Sequence, residues 1–275
     1  GGILGNIYVA KVRNIVKNIN AAFVEFAKGQ MGYLPLTGQI APIHTDGTPR
    51  NDDRILIGDE LIVQVTKEAV KTKPPTVSCA IELPGRYAVL TRKNGIVTSV
   101  SKKIQDEDKR ENLRCILQEY AGESYGFVAR TNSASCEEMT FRGEIEGLVK
   151  QYEQIIKQGI HRTVYSVLYR AADGYLSQIR DSLGGQSTGI LTDDEELYAQ
   201  IQTYLEAGGL QDSMPLTLWD PDHGKMDAVY DISRTIEKVL RPKVWLRGGG
   251  YLIIQPTEAL IAIDVNTGKA ISKKK

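Results

Sequence analysis

The sequence predicts an α+β chain of several domains: a small β-barrel, a mixed segment, a second α/β segment and a closing hairpin. Three observations carry this. Residues 7–83 hold five short apolar runs separated by turn residues. Residues 106–156 hold two stretches with apolar side chains at helical spacing, and from about Arg170 strand and helix patterns alternate. With 275 residues the chain is long enough for more than one core. Lys plus Arg and Asp plus Glu are 34 each, so bulk charge does not point to nucleic acid and any basic groove must be local. Cys79, Cys115 and Cys136, in no CxxC spacing, support neither a disulfide framework nor a zinc site and suggest reducing, cytoplasmic surroundings. With no signal peptide and no long apolar run, we expect no secretion and no membrane partner.

Ile7 to Arg13 alternates and reads as the first strand. Ala21 to Phe26, Gly32 to Leu36, Gly58 to Thr66 and Val77 to Leu83 follow, and together these strands close a small barrel. The stretch from Thr37 to Arg54 is polar and turn-rich, a loop. Pro84 to Leu90 is a strand entered through a turn. Asp106 to Ala121, with Leu113, Ile116, Leu117 and Tyr120 on one face, is a helix with Gly122 as its C-cap. Tyr125 to Thr131 is a further strand. Ser135 to Glu138 forms a capping box that starts a long helix through Ile145, Leu148, Tyr152 and Ile156, stopped by Gly159. Helices over Tyr175–Leu183, Asp193–Ala207 and Asp227–Leu240 alternate with strands over Thr188–Leu191, Met214–Trp219 and Lys243–Leu246. A Gly-Gly-Gln-Ser loop at 184–187 separates the first of these helices from the first strand.

The last element is a hairpin, Tyr251–Ile254 and Leu260–Val265 around a Pro-containing turn. Alternation places Leu260, Ala262, Asp264 and Asn266 on one face, and Ile261, Ile263 and Val265 on the other. A carboxylate and a carboxamide thus stand side by side at the end of a strand too apolar to lie on the surface. An unpaired carboxylate there is costly, and two oxygen donors suit a hard cation such as magnesium. Taken alone, these residues favour a plainer reading in which Asp264 and Asn266 open a turn before Gly268 by bonding the local backbone.

Thr257-Glu-Ala-Leu-Ile-Ala-Ile-Asp-Val-Asn-Thr-Gly268 resembles the metal-binding segment of the ribonuclease E/G family, and the resemblance runs from about Leu4 to Lys275. The runs Ala-Phe-Val-Glu-Phe, Gly-Tyr-Leu-Pro and Gly-Asp-Glu-Leu-Ile-Val-Gln-Val are similar to the S-one type of OB-fold, an RNA-binding barrel. The resemblance implies an S-one type OB-fold over residues 1–82 and a 5′-sensor subdomain over 83–169. An RNase H-like scaffold over 170–247 and the beginning of a DNase I-like catalytic subdomain over 248–275 complete it. It implies a magnesium-dependent, single-strand-specific endoribonuclease of RNA processing and decay. Water activated by Mg2+ would attack in line, leaving a 3′-hydroxyl and a 5′-phosphate.

Residue by residue, Asp264 and Asn266 match two active-site residues of the family, Asp264 as a metal ligand. Phe23, Tyr33 and Lys73 match two aromatics and a lysine that clamp the RNA, although the residues alone place Phe23 in the core. Arg130 and Thr131, with Gly85 and Val89, match the pocket for an RNA 5′-monophosphate, where a planar donor fork and a hydroxyl suit the phosphate. Asp193, Asp194, Asp220 and Asp222 fall in the scaffold and receive no chemistry. His161 and His223 read as surface or hydrogen-bonded histidines.

The second metal-binding Asp of the family lies on a later strand. This chain opens with Gly-Gly, without Met, and stops at Lys275. We therefore expect a fragment with half of a metal site that binds single-stranded RNA and by itself cleaves negligibly. A homo-oligomer of the full-length protein is a further partner the resemblance allows. Two other readings stay open: a non-catalytic RNA-binding module, and a translation or transcription factor using such a barrel, though these lack the Asp-Val-Asn hairpin.

Overall fold

The computed structural model describes residues 2–38, 40–45, 54–93, 98–182, 189–208, 210–211, 214–258 and 260–267. Much of the loop expected over Thr37–Arg54, the Gly-Gly-Gln-Ser loop at 184–187 and the turn at Gly268 lie outside these residues. The chain divides into two compact units, Gly1–Ser187 and Thr188–Lys275.

The first unit opens with β1 (Ile7–Val16), β2 (Ala21–Ala27), β3 (Gln30–Pro35), β4 (Glu60–Lys67) and β5 (Thr76–Ser78). β1 pairs with both β2 and β4, β3 pairs with β2 and β5, and β5 returns to β4. The result is a closed five-stranded barrel, compatible with an OB-fold. Strand alternation sends Tyr8, Ala10 and Val12 into its interior with Phe26, Leu34 and Val63.

The strand expected over Val77–Leu83 is in fact two. β5 ends at Ser78, whose hydroxyl accepts the Ala80 N–H (3.0 Å), and β6 (Ile81–Pro84) joins a different sheet. Buried Gln64 explains the departure. Its amide oxygen accepts the Glu82 N–H (2.7 Å), while its nitrogen donates to the Glu82 and Gly5 carbonyls (both 2.9 Å). Both ends of a buried amide are thereby satisfied, and β6 is held outside the barrel wall. β6 pairs with β7 (Ala88–Arg92), β7 with β9 (Gly126–Ala129) and β9 with β8 (Ser99–Val100), in the order β6-β7-β9-β8.

Two helices cover this sheet. α1 (Glu107–Tyr120) is capped by Asp106, which accepts the Lys109 N–H (3.1 Å), and it buries Leu113, Ile116 and Leu117 as the spacing predicts. Gly122 is not a left-handed cap: Ala121 leaves the helix extended, and the Gly122 N–H closes a turn onto the Tyr125 carbonyl. α2 (Glu138–His161) lacks the expected capping box, because the Ser135 hydroxyl bonds the Asn132 carbonyl (3.3 Å) within a 3-10 turn. Nor does Gly159 stop α2. It lies where the helix crosses the barrel, so close that an added Cβ would overlap Ile62 Cδ1. Ile7 and Ile62, on the outer wall of the barrel, share one core with Leu90, Phe127, Phe141 and Ile145. β10 (Val167–Tyr169) then pairs with β1, and α3 (Gly174–Ser182) follows.

In the second unit β11 (Ile190–Thr192) and β12 (Leu216–Leu218) pair in parallel across α4 (Glu195–Ala207), which is capped by Asp194. Among the described residues of this unit, Ile201, Leu205 and Met214 are the buried hydrophobic side chains. The helix expected over Asp227–Leu240 breaks at Asp231, whose φ of 53° is left-handed, giving α5 (Met226–Tyr230) and α6 (Ile232–Val239). Asp tolerates this conformation better than most residues, and the Asp227 carboxylate accepts the Ser233 N–H (2.7 Å) at the start of α6. β13 (Lys243–Trp245), β14 (Tyr251–Pro256) and β15 (Ile261–Asn266) form an antiparallel sheet in that order. β15 is not buried as its apolar character predicts. It pairs with β14 alone among the described residues, and Ile261, Ile263 and Val265 are each about 60 % exposed. Among the described residues no helix is long and apolar enough to cross a membrane.

The β6–β7 turn depends on one side chain of α2. Glu144 accepts the backbone N–H groups of Arg86 (2.8 Å), Tyr87 (2.7 Å) and Ala88 (2.9 Å), while the Gly85 N–H reaches the Ala88 carbonyl (2.8 Å). A Cβ on Gly85 would meet Glu144 Oε1 at 2.6 Å and Ala88 O at 2.9 Å, so this position requires glycine. Glu144→Ala should destabilise the first unit by about 2–3 kcal/mol, since three donors lose a charged acceptor. Urea unfolding followed by helical circular dichroism checks this; an unchanged midpoint would mean that water replaces the carboxylate.

Candidate functional site

On the barrel, the register of β2 and β3 sets Phe23 directly opposite Tyr33. Their rings stand 5.9 Å apart at 69°, an edge-to-face pair. Both are half-buried on the outer face, while Ala22, Val24 and Leu34 point inward. Phe23 is therefore not a core residue. Lys73 is exposed in a tight turn closed by mutual backbone bonds with Val70 (2.9 and 3.2 Å). Two residues on, the Pro75 carbonyl accepts the Tyr33 N–H (2.8 Å), which ties the lysine turn to the aromatic strand. Glu25, on the same face as Phe23, accepts bonds from the Tyr165 hydroxyl (2.7 Å), the Gly29 N–H (2.8 Å) and Arg13 Nε (2.6 Å). These donors hold its carboxyl at about 2, so the Arg13–Glu25 pair is ionised at physiological pH.

A second group gathers at the β6–β7 turn. Gly85 and Val89 flank it, and Arg130 follows β9, its N–H on the Tyr87 carbonyl (2.7 Å). Arg130 Nη1 donates to the Gly85 carbonyl (3.0 Å) and to Asp181 Oδ1 (2.8 Å). Val89 and Arg130 line a cavity of about 450 Å³ together with Gln64, Tyr169, Arg180 and Asp181. Thr131 is turned elsewhere, its hydroxyl 3.0 Å from that of Ser101. The structure thus brings Gly85, Val89 and Arg130 together and leaves the Thr131 hydroxyl with another partner. Sequence reasoning missed Glu144, Arg180 and Asp181. In the sequence they are ordinary polar residues of helices, and only tertiary packing delivers them here.

The third group lies on the β13-β14-β15 sheet. Asp264 stands opposite Ile253, and Asn266 opposite Tyr251; across the next strand pair, Ile253 faces Lys243 and Tyr251 faces Trp245. One face of this sheet therefore carries Lys243, Trp245, Tyr251, Asp264 and Asn266. Asn266 Nδ2 donates to the Tyr251 hydroxyl (3.0 Å). The Trp245 and Tyr251 rings are 5.1 Å apart, with Lys243 Nζ 3.8 Å from the Tyr251 centroid and 4.3 Å from that of Trp245. The alternation of Lys243 and Trp245 was readable in the sequence; their register against Tyr251 was not. Among the described residues no three His, Cys, Asp or Glu side chains cluster as a metal site. The Asp264 carboxylate and the Asn266 amide oxygen nevertheless fit part of a magnesium shell, which is made of oxygen donors and usually shared with water and substrate phosphate.

Known proteins similar in sequence to this chain are ribonucleases. The model of the Ribonuclease E/G family matches residues 82–275. Ribonuclease G of Haemophilus influenzae is 26% identical over 99% of this chain and 57% of that protein. Ribonuclease E of a Nostoc species is 31% identical over 96% of this chain and 39% of that protein, and Ribonuclease G of Escherichia coli is 26% identical over 99% and 57%. The chain spans roughly two-fifths to three-fifths of the length of these curated relatives. Because the family match extends over more than half of the chain, from β6 to its last residue, the chain belongs to the ribonuclease E/G family.

Proposed function

We propose that the protein carrying this chain is a magnesium-dependent, single-strand-specific endoribonuclease that senses an RNA 5′-monophosphate. The observation that supports this reading most is the Phe23–Tyr33 pair, two outward aromatic faces in register on a closed barrel. In this reading the barrel is an S-one type RNA-binding domain, and the β6-β7-β9-β8 sheet with α1 and α2 is the 5′-sensor subdomain. The segment of β11, α4 and β12 belongs to an RNase H-like scaffold, and the β14–β15 hairpin begins a DNase I-like subdomain. The protein works in the cytoplasm.

Phe23 and Tyr33 receive unpaired bases by stacking, and the Lys73 ammonium meets a phosphate of the same strand. Arg130 takes the 5′-phosphate. Asp264 and the Asn266 amide oxygen hold magnesium, and the Tyr251 hydroxyl, by accepting the Asn266 NH2 group, decides which end of that amide is offered. When bound, the metal neutralises charge on the scissile phosphate and activates water; products would carry a 3′-hydroxyl and a 5′-phosphate.

Three outcomes test this. Phe23→Ala should weaken binding of a single-stranded RNA by about 1–3 kcal/mol in fluorescence anisotropy, with the circular dichroism spectrum intact. Unchanged affinity would remove Phe23 from the interface. A 5′-monophosphorylated oligonucleotide should bind more tightly than its 5′-hydroxyl twin, and Arg130→Ala should erase a difference of about 1.5–3 kcal/mol. Equal affinities in the unaltered protein would show that the pocket senses nothing. In the natural protein that carries this chain, Asp264→Asn should abolish EDTA-sensitive cleavage of a labelled oligonucleotide and leave RNA affinity within about twofold, because a lost carboxylate weakens the metal and not the stacking. Retained cutting would make the hairpin carboxylate purely structural.

A further inference from the structure

We infer that Asp181 is an internal anion standing in the seat of the RNA 5′-phosphate, and that Arg180 is the second guanidinium that receives the phosphate when Asp181 leaves. The inference rests on the reading of this pocket as a 5′-monophosphate site. One carboxylate oxygen, Asp181 Oδ1, accepts both Arg130 Nη1 (2.8 Å) and Arg180 Nε (3.0 Å). The two guanidiniums reach it from different elements, the end of β9 and the last turn of α3. Each is also anchored to the same turn, Arg130 on the Gly85 carbonyl (3.0 Å) and Arg180 on the Pro84 carbonyl (2.9 Å). Both donors thus have an anchor on this turn besides their bond to Asp181.

Charge explains why a phosphate should prevail. A single carboxylate faces two guanidiniums, whereas a phosphate monoester carries close to two negative charges at neutral pH and three strong acceptor oxygens. Planar guanidinium forks match such a group well. The internal bridge is replaceable because it is partly open to solvent, with the side chains of Arg130, Arg180 and Asp181 exposed by 26%, 15% and 36%. Asp181 also sits in the last turn of α3, where the helix dipole disfavours a negative charge, so α3 gives no reason of its own to keep a carboxylate there. The two guanidiniums outweigh the opposing effect of burial and hold its carboxyl below the usual range. The adjoining cavity of about 450 Å³, within the usual range for small-ligand sites, has room for the terminal nucleotide. An uncharged 5′-hydroxyl end offers nothing that displaces Asp181. The carboxylate thus makes the pocket selective as well as occupied.

The test uses the whole chain and one short oligoribonucleotide carrying either a 5′-phosphate or a 5′-hydroxyl, with binding read by fluorescence anisotropy. Asp181→Asn keeps the shape and removes the charge. It should tighten binding of the phosphorylated RNA by about three- to tenfold and leave the hydroxyl form unmoved. Arg180→Gln should weaken the phosphorylated RNA alone by about tenfold. If the unaltered protein prefers the phosphate and Asp181→Asn weakens or fails to change that preference, Asp181 merely orients Arg130 and the inference is overturned while the pocket stands. If the unaltered protein shows no preference, the 5′-phosphate reading fails, and this inference with it.

Discussion

The packing of α2 against the outer wall of the barrel is the contact on which the first unit depends. Strand alternation leaves Ile7 and Ile62 facing outward, where they are fully buried in one core with Phe141, Ile145 and Ile155 of α2, and Gly159 lets the helix come in against Ile62. That crossing also sets where Glu144 lies along the helix. Glu144 in turn holds the amides of Arg86, Tyr87 and Ala88, and the carbonyls of Pro84 and Gly85 in the same turn anchor Arg180 and Arg130. An apolar contact between helix and barrel thus ends, two steps later, as the aim of two guanidiniums.

Buried polar groups join the same parts by a different force. Gln64 uses both ends of its amide to bind β6 and the segment before β1 to the barrel. Arg92, nearly inaccessible, gives its guanidinium to the carbonyls of Cys79 (3.2 Å) and Ala41 (2.6 Å). Such groups cost free energy wherever they are left unpaired, so they specify one arrangement more strictly than the apolar contacts around them. The outer aromatic pair is ordered more loosely, by register on the strands and by the network of Glu25, Arg13 and Tyr165 beside it.

The second unit is built differently. Its described core is small, and the Asp264 face is arranged by cross-strand partners on an open sheet rather than by burial. Tyr251 is central there: its hydroxyl receives Asn266, and its ring packs edge-to-face against Trp245 beneath the Lys243 ammonium. Pairwise contacts of this kind contribute modestly each, but they fix which side chains share a face with the carboxylate.

The sequence by itself determined the elements whose signals are local. Period-two alternation located the barrel strands and the hairpin, helical spacing found α1, α2 and α4, and the Asp-Val-Asn run marked the face that carries Asp264 and Asn266. Tertiary structure decided whatever depends on partners distant in the chain. Val77–Leu83 reads as one strand, yet Gln64 pulls its second half into another sheet. Gly159 and Ser135 carry the local marks of a helix end and a cap, but a close helix–barrel crossing and a 3-10 turn claim them instead. Phe23, apolar enough for the core, stands outside because the inward positions of β2 belong to Ala22, Val24 and Phe26. The Arg130–Asp181–Arg180 cluster had no sequence signature at all, since it joins residues about 50 positions apart that meet only after α3 has docked beside the β6–β7 turn.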